Sequence, residues 1–142
     1  MSGRHGGSMV LMAVFGVAIA AYVSWTRLAG AMPPCGPTLA CDTMEASGYS
    51  SVLGVPVALL GLGASVVTLA GSLRWWVRVD RRGLVFAYLT GLAGLPVLVW
   101  LAYLEFAVIR AVCALCIAYA AAAIGGWTAA AAAMADGEQA HA

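Results

Sequence analysis

The chain has no lysine and no asparagine, and charged residues make up only 9% of its 142 positions. A soluble domain carries roughly 25% charged residues, so this shortage argues against an ordinary water-soluble globule. All seven basic residues are arginine, and the net charge is only +1, which gives no reason to expect a nucleic-acid partner. The absence of lysine and asparagine, beside abundant alanine, reads as codon bias rather than chemistry. Other absences narrow the function. The chain has no phosphate-binding loop, no serine triad and no paired carboxylates. It has no haem ligand pair, no flavin motif and no iron–sulfur spacing. Its two histidines, His5 and His141, sit near the two ends. The length leaves no room for a large soluble domain.

What the chain has instead is apolar sequence: 63% of its residues are hydrophobic. Spanning a bilayer takes about 20 mostly apolar residues in a helix. Four runs qualify, at about 9–25, 52–73, 83–104 and 111–134, with short tails at 1–8 and 135–142. They are too long for strands and lack the alternation of a membrane barrel. The expected fold is therefore all-α: one domain over 1–142, an integral membrane four-helix bundle. The tail after Met134 is short and acidic and is expected to be disordered.

The connections differ in character. Between runs one and two lies "TRLAGAMPPCGPTLACDTMEASGYSS", the only long polar segment, where Pro33, Pro34, Gly36 and Pro37 break regular helix. Between runs two and three lies "RWWVRVDRRG", with four arginines. A short link around 105–110 joins runs three and four. Arginines favour the cytoplasmic side. With an even number of spans, Arg4 and the cluster Arg74, Arg78, Arg81 and Arg82 fall on one side, and only Arg27 and Arg110 on the other. Both termini are thus expected in the cytoplasm, with the long loop facing outward. Trp25, Trp75, Trp76 and Tyr103 stand near span ends, where aromatic belts form. A competing reading makes the first 31 residues a cleaved secretory signal, with Arg4, an apolar core and an Ala29-x-Ala31 site. The apolar core is longer than a signal needs and ends in bulky Trp25, which favours a retained span.

All four cysteines, Cys35, Cys41, Cys113 and Cys116, fall on this outer, oxidising side, where disulfides persist. Cys113 and Cys116 are one helical turn apart and share a face. They lie in the first turns of the fourth run, where the helix dipole and free N–H groups suit a thiolate. Arg110 stands three residues before Cys113, as an added positive charge or as an interfacial anchor. Cys35 and Cys41 bracket Gly36 and Pro37 in the loop, a spacing that allows a short disulfide-closed turn. Taken alone that pair would serve equally as a static staple. Beside a membrane C-x-x-C it suggests two couples that exchange through a mixed disulfide. A closed zinc site is the rival chemistry, but such sites usually draw on two tight C-x-x-C knuckles and only one is present. No metal is expected. Asp42 and Glu45 beside Cys41 read as solvated charge. A redox couple needs an electron acceptor, and a lipid-soluble quinone reaches a dithiol at membrane depth without a dedicated domain.

The order of these features, loop Cys35 and Cys41, then "CDTMEASGYSSVLGVPVALLGL", then "YLEFAVIRAVCALC", resembles the vitamin K epoxide reductase family in its bacterial four-helix form. The resemblance runs over most of the chain, from about residue 9 to 134. The other membrane thiol-oxidase family, of the disulfide-bond protein B type, carries its C-x-x-C in the first outer loop, the reverse of the order here. The resemblance implies that Cys113 and Cys116 are the pair facing the quinone, menaquinone or ubiquinone, and that Cys35 and Cys41 relay electrons from a thioredoxin-like partner. It matches Ser47 to a polar residue near the quinone pocket; a helix cap or turn is its plainer role. Cys116 is one turn deeper than Cys113, which assigns Cys116 to the quinone and Cys113 to exchange with the loop. Animal members present an asparagine amide to the ring, and this chain has none. They also carry a tyrosine four residues past the second cysteine, where this chain has Ala120; the nearest is Tyr119, a second candidate for the quinone pocket. Epoxide reduction is therefore not implied. Some bacterial relatives carry a fused thioredoxin-like domain; here the partner is expected to be a separate extracytoplasmic protein. The implied function is quinone-dependent thiol oxidation in support of disulfide-bond formation. Two alternatives are a non-catalytic membrane scaffold with a structural disulfide and a metal-handling membrane protein.

Overall fold

The computed structural model describes residues 2–30, 51–110 and 114–141. Four long helices account for most of them: α1 (Ser2–Leu28), α2 (Val57–Arg78), α3 (Arg81–Tyr103) and α4 (Ala114–His141). A two-residue antiparallel hairpin, β1 (Ser51–Val52) and β2 (Val55–Pro56), precedes α2, and a π-helical turn (Leu104–Ile109) extends α3. All four helices are long and apolar enough to cross a membrane, over Arg4–Leu28, Val57–Arg78, Arg81–Val108 and Ala114–Gly137. The protein is a multi-pass membrane bundle.

The helices pack in sequence order, α1 on α2, α2 on α3 and α3 on α4, and α4 closes the ring on α1. The interior is made mostly of small side chains, with Met9, Leu84 and Leu104 as the larger buried apolar ones. On α1 the buried positions Gly6, Met9, Ala13, Gly16, Ala20 and Ser24 recur every three or four residues and form one stripe. The core cluster joins Met9 of α1, Leu84 and Ala87 of α3, and Ala130 and Ala133 of α4. Large apolar side chains point the other way: Phe15, Leu28, Phe86, Val99 and Phe106 are exposed. Lipid tails are as apolar as leucine, so close helix approach rather than burial of large side chains holds such a bundle together.

Helix limits differ from those read off the apolar runs, and each shift has a local cause. The hairpin delays α2 by five residues. It turns through Leu53 (φ 53°) and Gly54 (φ 81°), pairing Ser51 with Pro56 and Val52 with Val55. Positive φ at both central residues is the primed hairpin turn that matches strand twist. Pro56, which lacks an N–H, then stands at the N-cap of α2. The arginine-rich connection is mostly helix. Only Val79 and Asp80 lie outside α2 and α3; Val79 takes a left-handed conformation with its N–H on the Trp75 carbonyl, and Asp80 caps α3 by accepting from the Arg82 N–H at 3.0 Å. The link after α3 is also helical, as far as Arg110, whose φ of 54° ends it. At the chain's end, the tail expected to be disordered continues α4 to His141. Asp136 lies in this stretch, with its Oδ2 2.9 Å from His5 Nε2 on α1.

Two ends result. One gathers the start of α1, the α2–α3 turn and the end of α4, with Arg4, Arg74, Arg78, Arg81 and Arg82. The other gathers the end of α1 with Arg27, the hairpin, the π turn with Arg110, and the start of α4 with Cys116.

Candidate functional site

Cys116 is the third residue of α4, in its first turn, and is exposed at the end opposite the arginine cluster. Cys35, Cys41, Ser47 and Cys113 lie outside the described residues. The described residues that border their segments, Gly30, Ser51, Arg110 and Ala114, all belong to the same end as Cys116. Arg110 closes the π turn and is exposed; α4 is described from Ala114 onward.

One turn further along α4, Tyr119 reaches across to α2. Its phenol donates to the Gly61 carbonyl at 2.9 Å, and its oxygen lies 3.0 Å from Ser65 Oγ. A phenol has one proton. With that proton on Gly61, Ser65 must be the donor of the second bond. The chain of bonds runs from Ser65 to Tyr119 to Gly61. Ser65 is 8% exposed and Tyr119 half-buried. Small residues make the crossing possible. A methyl group on Gly61 would stand 3.3 Å from the Tyr119 hydroxyl, and one on Gly16 of α1 would stand 3.2 Å from Ser65 Oγ and 3.8 Å from the tyrosine ring. Three helices thus meet around one phenol beneath Cys116. Each group in this apolar setting is satisfied, as the bilayer interior demands.

The sequence brought Cys116 and Tyr119 forward but gave no partner for the tyrosine. Gly61-x-x-x-Ser65 was a readable signal, since small residues four apart let another helix approach. Burial of Glu105, 4% exposed within the π turn, was not anticipated either, because the residue sits in what reads as a link. Among the described residues no group of three or more histidines, cysteines or carboxylates is placed to hold a metal ion.

The model of the vitamin K epoxide reductase family matches residues 8–131. No curated protein matches the chain.

Proposed function

The chain belongs to the vitamin K epoxide reductase family, a family of membrane thiol oxidoreductases, and from that premise we propose that it oxidises a thioredoxin-like extracytoplasmic partner and passes the electrons to a membrane quinone. The partner's dithiol reduces a Cys35–Cys41 disulfide and leaves as a disulfide. The Cys35/Cys41 dithiol then reduces a Cys113–Cys116 disulfide. Finally the Cys113/Cys116 dithiol reforms its S–S bond; its two electrons and two protons convert quinone to hydroquinone. Each exchange proceeds by thiolate attack on a disulfide sulfur. The quinone is a substrate, consumed once per cycle, and the reaction needs no metal. The net effect is disulfide formation in exported proteins.

The observation that carries this reading is the position of Cys116: an exposed cysteine in the first turn of a membrane span, at the end away from the cluster of Arg4, Arg74, Arg78, Arg81 and Arg82. By the bias of arginines to the cytoplasm, that end faces outward, with both termini in the cytoplasm of a bacterial inner membrane. Apolar helix faces around the sulfur suit a lipid-soluble ring, and the Tyr119 hydroxyl, one turn inward, is the described polar group nearest along α4. In this reading Tyr119 and Ser47 contact the quinone, Cys116 delivers the electrons and Cys113 exchanges with the loop pair.

The test is quinone reduction by purified protein in detergent, driven by a reduced thioredoxin-like protein. Wild type should turn over and Cys116→Ser should not. A folded wild-type protein inert toward several quinones and partners would point instead to a membrane scaffold.

A further inference from the structure

Three hydroxyls on α2 follow one another at close to one-turn intervals, and one of them behaves differently. Thr68 Oγ1 donates to the Ala64 carbonyl at 2.9 Å, and Ser72 Oγ to the Thr68 carbonyl at 2.7 Å. This bond to the carbonyl four residues back is the ordinary resting place of a hydroxyl on a helix. The carbonyl four residues before Ser65 is that of Gly61. There the Tyr119 phenol occupies the carbonyl instead, and Ser65 donates to the phenol oxygen.

We propose that Ser65 is a positioning residue for quinone binding: by turning its hydroxyl back to the Gly61 carbonyl, it releases the proton of Tyr119 for a quinone carbonyl oxygen. The inference rests on the reading of Tyr119 as a quinone contact and extends it. Two arrangements satisfy the same groups. In the resting one, Ser65 donates to Tyr119 and Tyr119 to Gly61. In the quinone-bound one, Ser65 donates to Gly61, as Thr68 and Ser72 do to their own carbonyls, and Tyr119 donates to the quinone. The number of hydrogen bonds donated by protein stays at two and no bond to hydrogen is broken. The exchange matters because a phenol has a single proton. Without Ser65, that proton leaves the second lone pair of the Gly61 carbonyl with no hydroxyl to replace it; the carbonyl keeps its helical N–H, and the side-chain bond is lost in an apolar interior, which costs free energy. The glycine at position 16 leaves the space in which the hydroxyl turns, since even a methyl group there would approach Ser65 Oγ to 3.2 Å.

The experiment measures KM and kcat for a short-chain quinone with dithiothreitol as electron donor, which bypasses the partner. Ser65→Ala should raise KM roughly fivefold, the worth of one hydrogen bond of about 1 kcal/mol, and leave kcat close to wild type. Ser65→Thr should restore KM. In a Tyr119→Phe background, Ser65→Ala should have no further effect, because the two residues act through one bond. If Ser65→Ala does not fold, Ser65→Val and Ser65→Thr, alike in shape and different in the hydroxyl, carry the same comparison. An unchanged KM in Ser65→Ala, a Thr variant as impaired as Ala, or an effect that persists in Tyr119→Phe overturns the switch while the quinone reading stands. A folded wild type that reduces no quinone overturns both.

Discussion

Gly71 and Gly83 face each other so closely that a methyl group on either would meet the other's carbonyl oxygen, at 2.6 Å from Gly71 and 2.5 Å from Gly83. This reciprocal contact sets the crossing of α2 and α3 beside their two-residue turn. Gly71→Ala or Gly83→Ala must therefore push two backbones apart, and overpacking of this kind costs about 1–3 kcal/mol. Gly63 and Gly94 lie in the same two helices with nothing near their absent side chains. There, alanine should be neutral or stabilising by up to about 1 kcal/mol, through helix propensity. Thermal unfolding in detergent should give opposite signs for the two sets; equal effects would remove the close contact as the reason for the glycines.

The relay predicts a separation of two activities. Cys35→Ser and Cys41→Ser should abolish quinone reduction driven by the protein partner and spare reduction driven by dithiothreitol, a small dithiol able to reach the helix pair directly. Cys116→Ser should lose both. Equal loss of both activities in the loop variants would argue for a structural loop disulfide.

Orientation is testable by thiol labelling in a background with all four cysteines replaced. Val79 and Leu28 are 58% and 73% exposed and stand at opposite ends of the bundle. An impermeant maleimide added to intact spheroplasts should label Leu28→Cys and leave Val79→Cys untouched until the membrane is opened. The reverse pattern would place the cysteines in the cytoplasm and defeat the disulfide-forming role.

The His5–Asp136 pair should matter little to stability. Its side chains are 33% and 46% exposed, and ion pairs open to solvent contribute at most about 1 kcal/mol. Asp136→Asn should shift the unfolding midpoint only slightly, and a large loss would mean that the pair anchors the end of α4.

Much of the architecture was legible in the sequence because the bilayer imposes its own ruler. Arg81 and Tyr103 bound a helix that apolarity alone placed at 83–104, and the same holds for the other three spans within several residues. The errors fall where apolarity stops reporting on backbone. Ser2–Ser8 is polar yet helical, Asp136 and Gly137 continue α4, and Val52 is apolar yet belongs to a hairpin forced by Leu53, Gly54 and Pro56.

The sequence by itself determined the number and order of the spans, the end that carries five of the seven arginines, and the order of the loop pair and the C-x-x-C, since these depend only on what lies along the chain. Only the tertiary structure decided that Tyr119 bonds to Gly61 and Ser65, that Gly71 meets Gly83, and that His5 meets Asp136. A helix that must face lipid on one side and small neighbours on the other is apolar all round, so it shows no polar face to say which side turns inward. Which faces meet is settled by the shape of the packed side chains, and that is expressed only when all four helices are in place.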